Sequence, residues 1–161
     1  MKYQLDIISD CVDDLVQHAG GWIYDRATAG WEVTVSLPLG VDRRPIQILG
    51  AHTTLLDLSR DRLPCSRPAI ATSVAMCRRD ARLAAMLTDA YRDDTEITLW
   101  GDGDTVDDDL ARGAVSHRLS VAARAFKAQA LAAVGSRPTI VGRHETFRTS
   151  KVSYSDLVPA G

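Results

Sequence analysis

The sequence predicts an α/β fold, a layered sandwich in which about three long helices cover a mixed, largely parallel sheet of four to five strands. Three observations predict it. The hydrophobic period changes from helical to alternating at Gly30; two later stretches carry apolar residues at helical intervals; and short β-rich runs between them end at glycines.

The first helix is expected to start near Ser9 or Asp10, either of which can cap it, with Asp13 and Asp14 favoured by the helix dipole in its early turns. Val12, Leu15, Val16, Ala19 and Ile23 form its apolar stripe, and Gly30 ends it in a left-handed conformation. Trp31, Val33, Val35 and Leu37 then alternate with polar residues as a half-buried strand. A short strand at 3–8 would make residues 3–37 a β-α-β unit.

After a turn at 38–44, the apolar run 45–50 reads as a second strand. Its connector is too short for a helical crossover, so the two strands, if neighbours, are expected to be antiparallel. Leu55–Leu58 can extend the sheet, and residues 59–67 form a polar connection. The second helix is placed from about Ser66–Pro68 to Arg92, on a stripe of Val74, Cys77, Ala81, Ala84, Leu87 and Tyr91. Residues 96–100 form a strand ended by Gly101–Asp104, and a third helix carries Val115, Leu119, Ala122, Phe126, Ala130 and Ala133 as far as Gly135. Pro138–Gly142 is the expected last strand. Residues 1–142 are read as a single α/β domain, and 143–161 as a polar C-terminal segment packed on it or partly disordered.

Composition fits a protein that buries an ordinary core: 45% hydrophobic and 25% charged residues over 161 positions. Cys11, Cys65 and Cys77 lack CxxC spacing and suit reduced thiols. The N-terminus has no long uncharged run and no segment reaches a membrane-spanning length, which reads as cytoplasmic with no membrane partner. Charge is uneven. Residues 1–111 carry a net −8 and residues 112–161 a net +6, so the basic third faces either the acidic part of its own fold or an acidic partner.

Gly20-Gly21 inside a helical pattern is costly and calls for a close approach, a helix break or a ligand contact. Together with Ala29–Val35 the pair resembles part of a dinucleotide-binding β-α-β unit, over about a fifth of the chain and without the G-x-G-x-x-G spacing. Asp102, Asp104, Asp107, Asp108 and Asp109 cluster where a strand end meets a helix start. Their spacing fails the EF-hand pattern, and helix capping accounts for them.

His18, His52, His117 and His144 show no metal-ligand spacing, and no metal or cofactor is expected. Gly20, Gly21, Asp25, Asp102, Asp104 and His117 are the ligand-binding candidates. Arg118, Arg124 and Lys127 are the nucleic-acid candidates on the basic third helix, a partner not favoured because aromatic interleaving is thin.

No compact catalytic constellation emerges, and the reading is a non-catalytic binding or regulatory module rather than an enzyme, self-associating as a dimer through the alanines at 122–133. Its alternatives are a small nucleotide-binding protein or enzyme with a site near Gly20-Gly21 or Gly101–Asp104, and a nucleic-acid-associated protein.

Overall fold

The computed structural model describes residues 3–59, 69–103, 108–136 and 140–150. Among them are seven strands and five α-helices, in the order β1 (Gln4–Ile8), α1 (Val12–Thr28), β2 (Glu32–Leu37), α2 (Arg44–Ile48), β3 (His52–Leu55), β4 (Ala69–Ser73), α3 (Val74–Arg79), α4 (Ala81–Arg92), β5 (Glu96–Trp100), β6 (Gly113–Arg118), α5 (Val121–Val134) and β7 (His144–Thr149). They build one mixed sheet in the order β3-β2-β1-β4-β5-β7-β6. The first five strands are parallel; β7 runs antiparallel to both β5 and β6. The mixed, largely parallel sheet agrees with expectation, and the strand number of four to five is corrected to seven.

Alternation of side chains splits the core between the two faces of the sheet. Leu5, Ile7, Val33, Val35 and Ala71 join Leu15, Ile23, Ile46 and Leu131 of α1, α2 and α5 on one side. Ile8, Ile70 and Ile97 join Val74, Leu83 and Leu87 of α3 and α4 on the other. Strands buried on both faces are what a parallel sheet between helical layers requires.

The junction at Gly30 behaves as its sequence dictates. Gly30 has φ +93°, its N–H donates to the Ala27 carbonyl at 3.1 Å, and the Trp31 N–H reaches back to Arg26 at 3.0 Å. Together these bonds close a Schellman cap. The other end of α1 differs from expectation: its N-cap is Cys11, with no side-chain cap bond, because Ser9 is spent on the Cys11 backbone.

Four elements depart from the sequence reading. The run at 45–50 is the helix α2, begun by Pro45 in its first turn, and the strand that follows β2 is β3, paired with it in parallel. Ala69–Ser73 is a buried strand rather than the start of the second helix, since a short segment buried on both faces shows no alternation that distinguishes the two. The third helix is divided, with Gly113–Arg118 forming β6 and only Val121–Val134 helical. Residues 140–142 carry no strand; the last strand is β7, which enters the sheet between β5 and β6 from the segment read as a polar tail. No helix among the described residues is long and apolar enough to cross a membrane.

Candidate functional site

The strand order changes direction at β1 and β4, whose C-terminal ends open the crevice where parallel α/β sheets take ligands. Ser9–Cys11 lead from β1 into α1 at this edge, and Asp10 pairs with Arg79 of α3 at 2.7 Å across the crevice. Cys11 is exposed, whereas Cys77 is buried, and burial pushes the Cys77 thiol up to about 11, a neutral packing group at ordinary pH.

The second turn of α1 brings a polar chain to the same edge. His18 Nδ1 lies 2.9 Å from the Asp14 carbonyl and 3.1 Å from the Asp14 carboxylate. Both neighbours accept only, so Nδ1 donates to them and Nε2 is the ring nitrogen not engaged by Asp14. The other Asp14 oxygen accepts the indole N–H of the buried Trp100 at 3.0 Å. Trp100 thus fixes Asp14, and Asp14 fixes the ring. His18 lines an open cavity of about 440 Å³, together with Gly101, Asp102 and Gly103 after β5 and Phe147 and Arg148 on β7. Sequence reasoning passed over His18 as a lone histidine; the available signal was the i, i+4 spacing from Asp14 on a helix face.

The sequence-predicted residues are scattered. Asp102 lines the cavity, and Asp104 lies outside the described residues. Gly20 and Gly21 are buried in the middle of α1 and form no phosphate-binding turn. Their physical reason is close approach: a methyl group on Gly21 would meet Leu119 Cδ2 at 2.1 Å. The Glu145 carboxylate of β7 also accepts from the Gly21 and Trp22 N–H groups, at 3.0 and 2.6 Å.

Asp25 and His117 do meet, with His117 Nε2 2.8 Å from the Asp25 carboxylate. Asp25 additionally accepts from the Ser120 backbone at 3.1 Å and from the Ser120 hydroxyl at 2.6 Å. The serine bonds the carboxylate rather than the imidazole, so the cluster ties α1 to the start of α5 and lacks the nucleophile-to-base contact of a triad. Burial works to raise the Asp25 pKa, but the bonds from Ser120 and His117 outweigh it and leave the carboxyl below its usual range. Asp25 is also seven residues beyond His18, roughly 10 Å along the helix axis.

Of the nucleic-acid candidates, Arg118 is exposed and Arg124 half-buried. Lys127 is turned inward, donating to Glu145 at 2.7 Å and to the Gln17 carbonyl at 2.5 Å, and offers no charge to a phosphate surface. The basic bias of this third is thus partly neutralised inside the fold.

No family model matches the sequence. No curated protein matches it either. Solved structures do. The A40926 pseudoaglycone deacetylase Dbv21 is similar over 95% of this chain and 100% of its own, with a TM-score of 0.64 and 17% identity. A triple mutant of a deacetylase of the teicoplanin biosynthetic pathway is similar over 94% and 99% of the two chains, with a TM-score of 0.62 and 14% identity. The zinc-inhibited form of teicoplanin deacetylase Orf2 is similar over 91% and 97%, at 0.59 and 14%. A zinc ion finds no ready cage here: among the described residues no group of three or more His, Cys, Asp or Glu side chains could hold a metal ion. The expectation of a non-catalytic, regulatory module is corrected by these matches, because the structures that share the architecture are enzymes. The chain takes the mixed α/β fold of these deacetylases.

Proposed function

We propose that this chain is a deacylase, a hydrolase that removes an acyl group, acetyl in the first instance, from an amine nitrogen of a substrate seated beside His18. One observation carries the reading: the Trp100–Asp14–His18 chain ends at a cavity of about 440 Å³, in a fold shared with deacetylases. A cavity of that size accepts a small acylated group while the rest of a larger substrate stays outside.

With Nδ1 held by Asp14, Nε2 is the nitrogen left for catalysis. His18 Nε2 takes a proton from water as the water oxygen bonds to the acyl carbon, and Asp14 stabilises the resulting imidazolium. The same nitrogen returns the proton to the amine as the carbon–nitrogen bond breaks, giving a free acid and a free amine. Trp100 keeps Asp14 from rotating away from the ring.

Acetate release from N-acetylglucosamine and from N-acetyl amino acids tests the reading. His18→Ala is expected to lower the rate by roughly 100-fold or more, and Asp14→Asn by a smaller factor with a shifted pH profile. A His18→Ala variant that hydrolyses these compounds at the wild-type rate overturns the proposal, as does absence of release by the wild-type chain.

A further inference from the structure

The turn after β5 is held between two guanidinium groups. From β7, Arg148 Nη2 donates to the Gly103 carbonyl at 2.5 Å and touches the Gly101 carbonyl at 3.5 Å. From the end of α3, Arg78 packs so closely on the turn that a methyl group on Gly103 would meet Arg78 Nη1 at 2.9 Å. Gly103 has φ +117°, a conformation that glycine alone adopts readily, so the approach of both arginines depends on it.

Neither arginine has a carboxylate partner among the described residues, although Arg79, Arg92 and Arg112 each have one. Asp102 is exposed on the same turn and, among the described residues, is paired with neither. Arg148 gives one nitrogen to backbone carbonyls, which orient the planar fork, and among the described residues its remaining donors meet no carboxylate at the cavity wall. An oriented arginine without a carboxylate partner among the described residues, with a second guanidinium against the same glycine, is an arrangement that recognises an oxyanion.

We infer that Arg148 and the Gly101–Gly103 turn form an anion subsite at the cavity wall, with Arg78 packed against the turn rather than lining the cavity, and that it selects substrates bearing a carboxylate or phosphate near the acyl group. The inference rests on the deacylase reading for the identity of that substrate. Binding of the anion itself does not require the reaction.

Calorimetric titration of the full chain with N-acetylglycine, its neutral analogue N-acetylglycinamide, and inorganic phosphate tests it. The acid is expected to bind at least about tenfold more tightly than the amide, with that ratio falling towards one in Arg148→Gln and by a smaller factor in Arg78→Gln. Arg148→Lys, which keeps the charge and loses the fork, is expected to fall between wild type and Arg148→Gln. Thermal unfolding of each variant identifies loss of fold, and Arg78→Gln carries the test if Arg148→Gln does not fold.

Displacement of N-acetylglycine by phosphate widens the subsite to phosphates; failure to displace restricts it to carboxylates. Equal affinity for acid and amide, no detectable binding of the acid at millimolar concentration, or a ratio unchanged in both arginine variants overturns the inference. If the wild-type chain releases no acetate while the acid preference persists, the deacylase reading fails and the anion subsite stands.

Discussion

Glu145 of β7 reaches into the middle of α1 and accepts the Gly21 N–H at 3.0 Å, across 124 residues of sequence. The contact is part of a closed circuit. Lys127 of α5 donates both to Glu145 and to the Gln17 carbonyl, the acceptor that helical geometry pairs with the Gly21 N–H. A sheet strand and a neighbouring helix therefore satisfy backbone groups at a point where α1 has no side chain to separate them.

Gly21 and Gly20 are expected to respond differently to alanine. At Gly21 the new methyl group would lie 2.1 Å from Leu119 Cδ2, and relief requires moving a buried leucine, at about 2 kcal/mol or more. At Gly20 the nearest atom is Val16 Cγ1 at 3.2 Å, a contact eased by a small shift and offset by the roughly 1 kcal/mol that alanine gains over glycine in a helix. Urea unfolding of the two variants checks the contrast; equal destabilisation refutes it.

The Glu145–Lys127 pair is almost fully enclosed, with side chains 2% and 8% exposed. Glu145→Gln leaves an unpaired buried ammonium and is expected to cost roughly 3–5 kcal/mol, with Lys127→Met similar from the other side. The double variant is expected to recover part of that loss. A double-mutant cycle on unfolding free energies measures it, and a coupling near zero would show that the two groups do not depend on each other.

Asp25 links stability to acidity. Its folded carboxyl titrates below the ordinary aspartate value of 3.8, so its stabilising effect is complete above that value and is lost as pH falls through the lower folded-state value. Unfolding midpoints between about pH 5 and pH 3 should therefore fall less steeply in Asp25→Asn than in wild type. Identical slopes would remove the linkage.

The residues that announced themselves in sequence were those whose role is local. Gly30 ends a helix and starts a strand within a few positions, and its left-handed backbone appears as expected. β5 is bounded by polar residues and Gly101, and its limits agree. Ala69–Ser73 falls inside the expected second helix because no alternation marks its five residues, all of them buried. β6 escaped because Val115 and Leu119 fall at helical spacing with the stripe of α5, although one lies on a strand and the other before a helix. Glu145 was invisible as a core residue, since the lysine that neutralises it lies 18 positions away and the amides it binds lie on α1. His18 needed Trp100, 82 positions on, to become more than a helix-face histidine. Polar sites built from three distant elements leave no period to read.

The insertion of β7 between β5 and β6 sets an order of assembly. A chain emerging from the ribosome releases β1 to α5 first, and during that interval β5 has an uncovered edge while β6 has no neighbour to join. Only when residues 144–150 arrive do the Ile97 and Ser150 backbones meet, at 2.9 Å, and only then does the Glu145 carboxylate reach the waiting amides of Gly21 and Trp22. Truncation a few residues before β7 would thus leave an open sheet edge and a first helix still missing its final bonds.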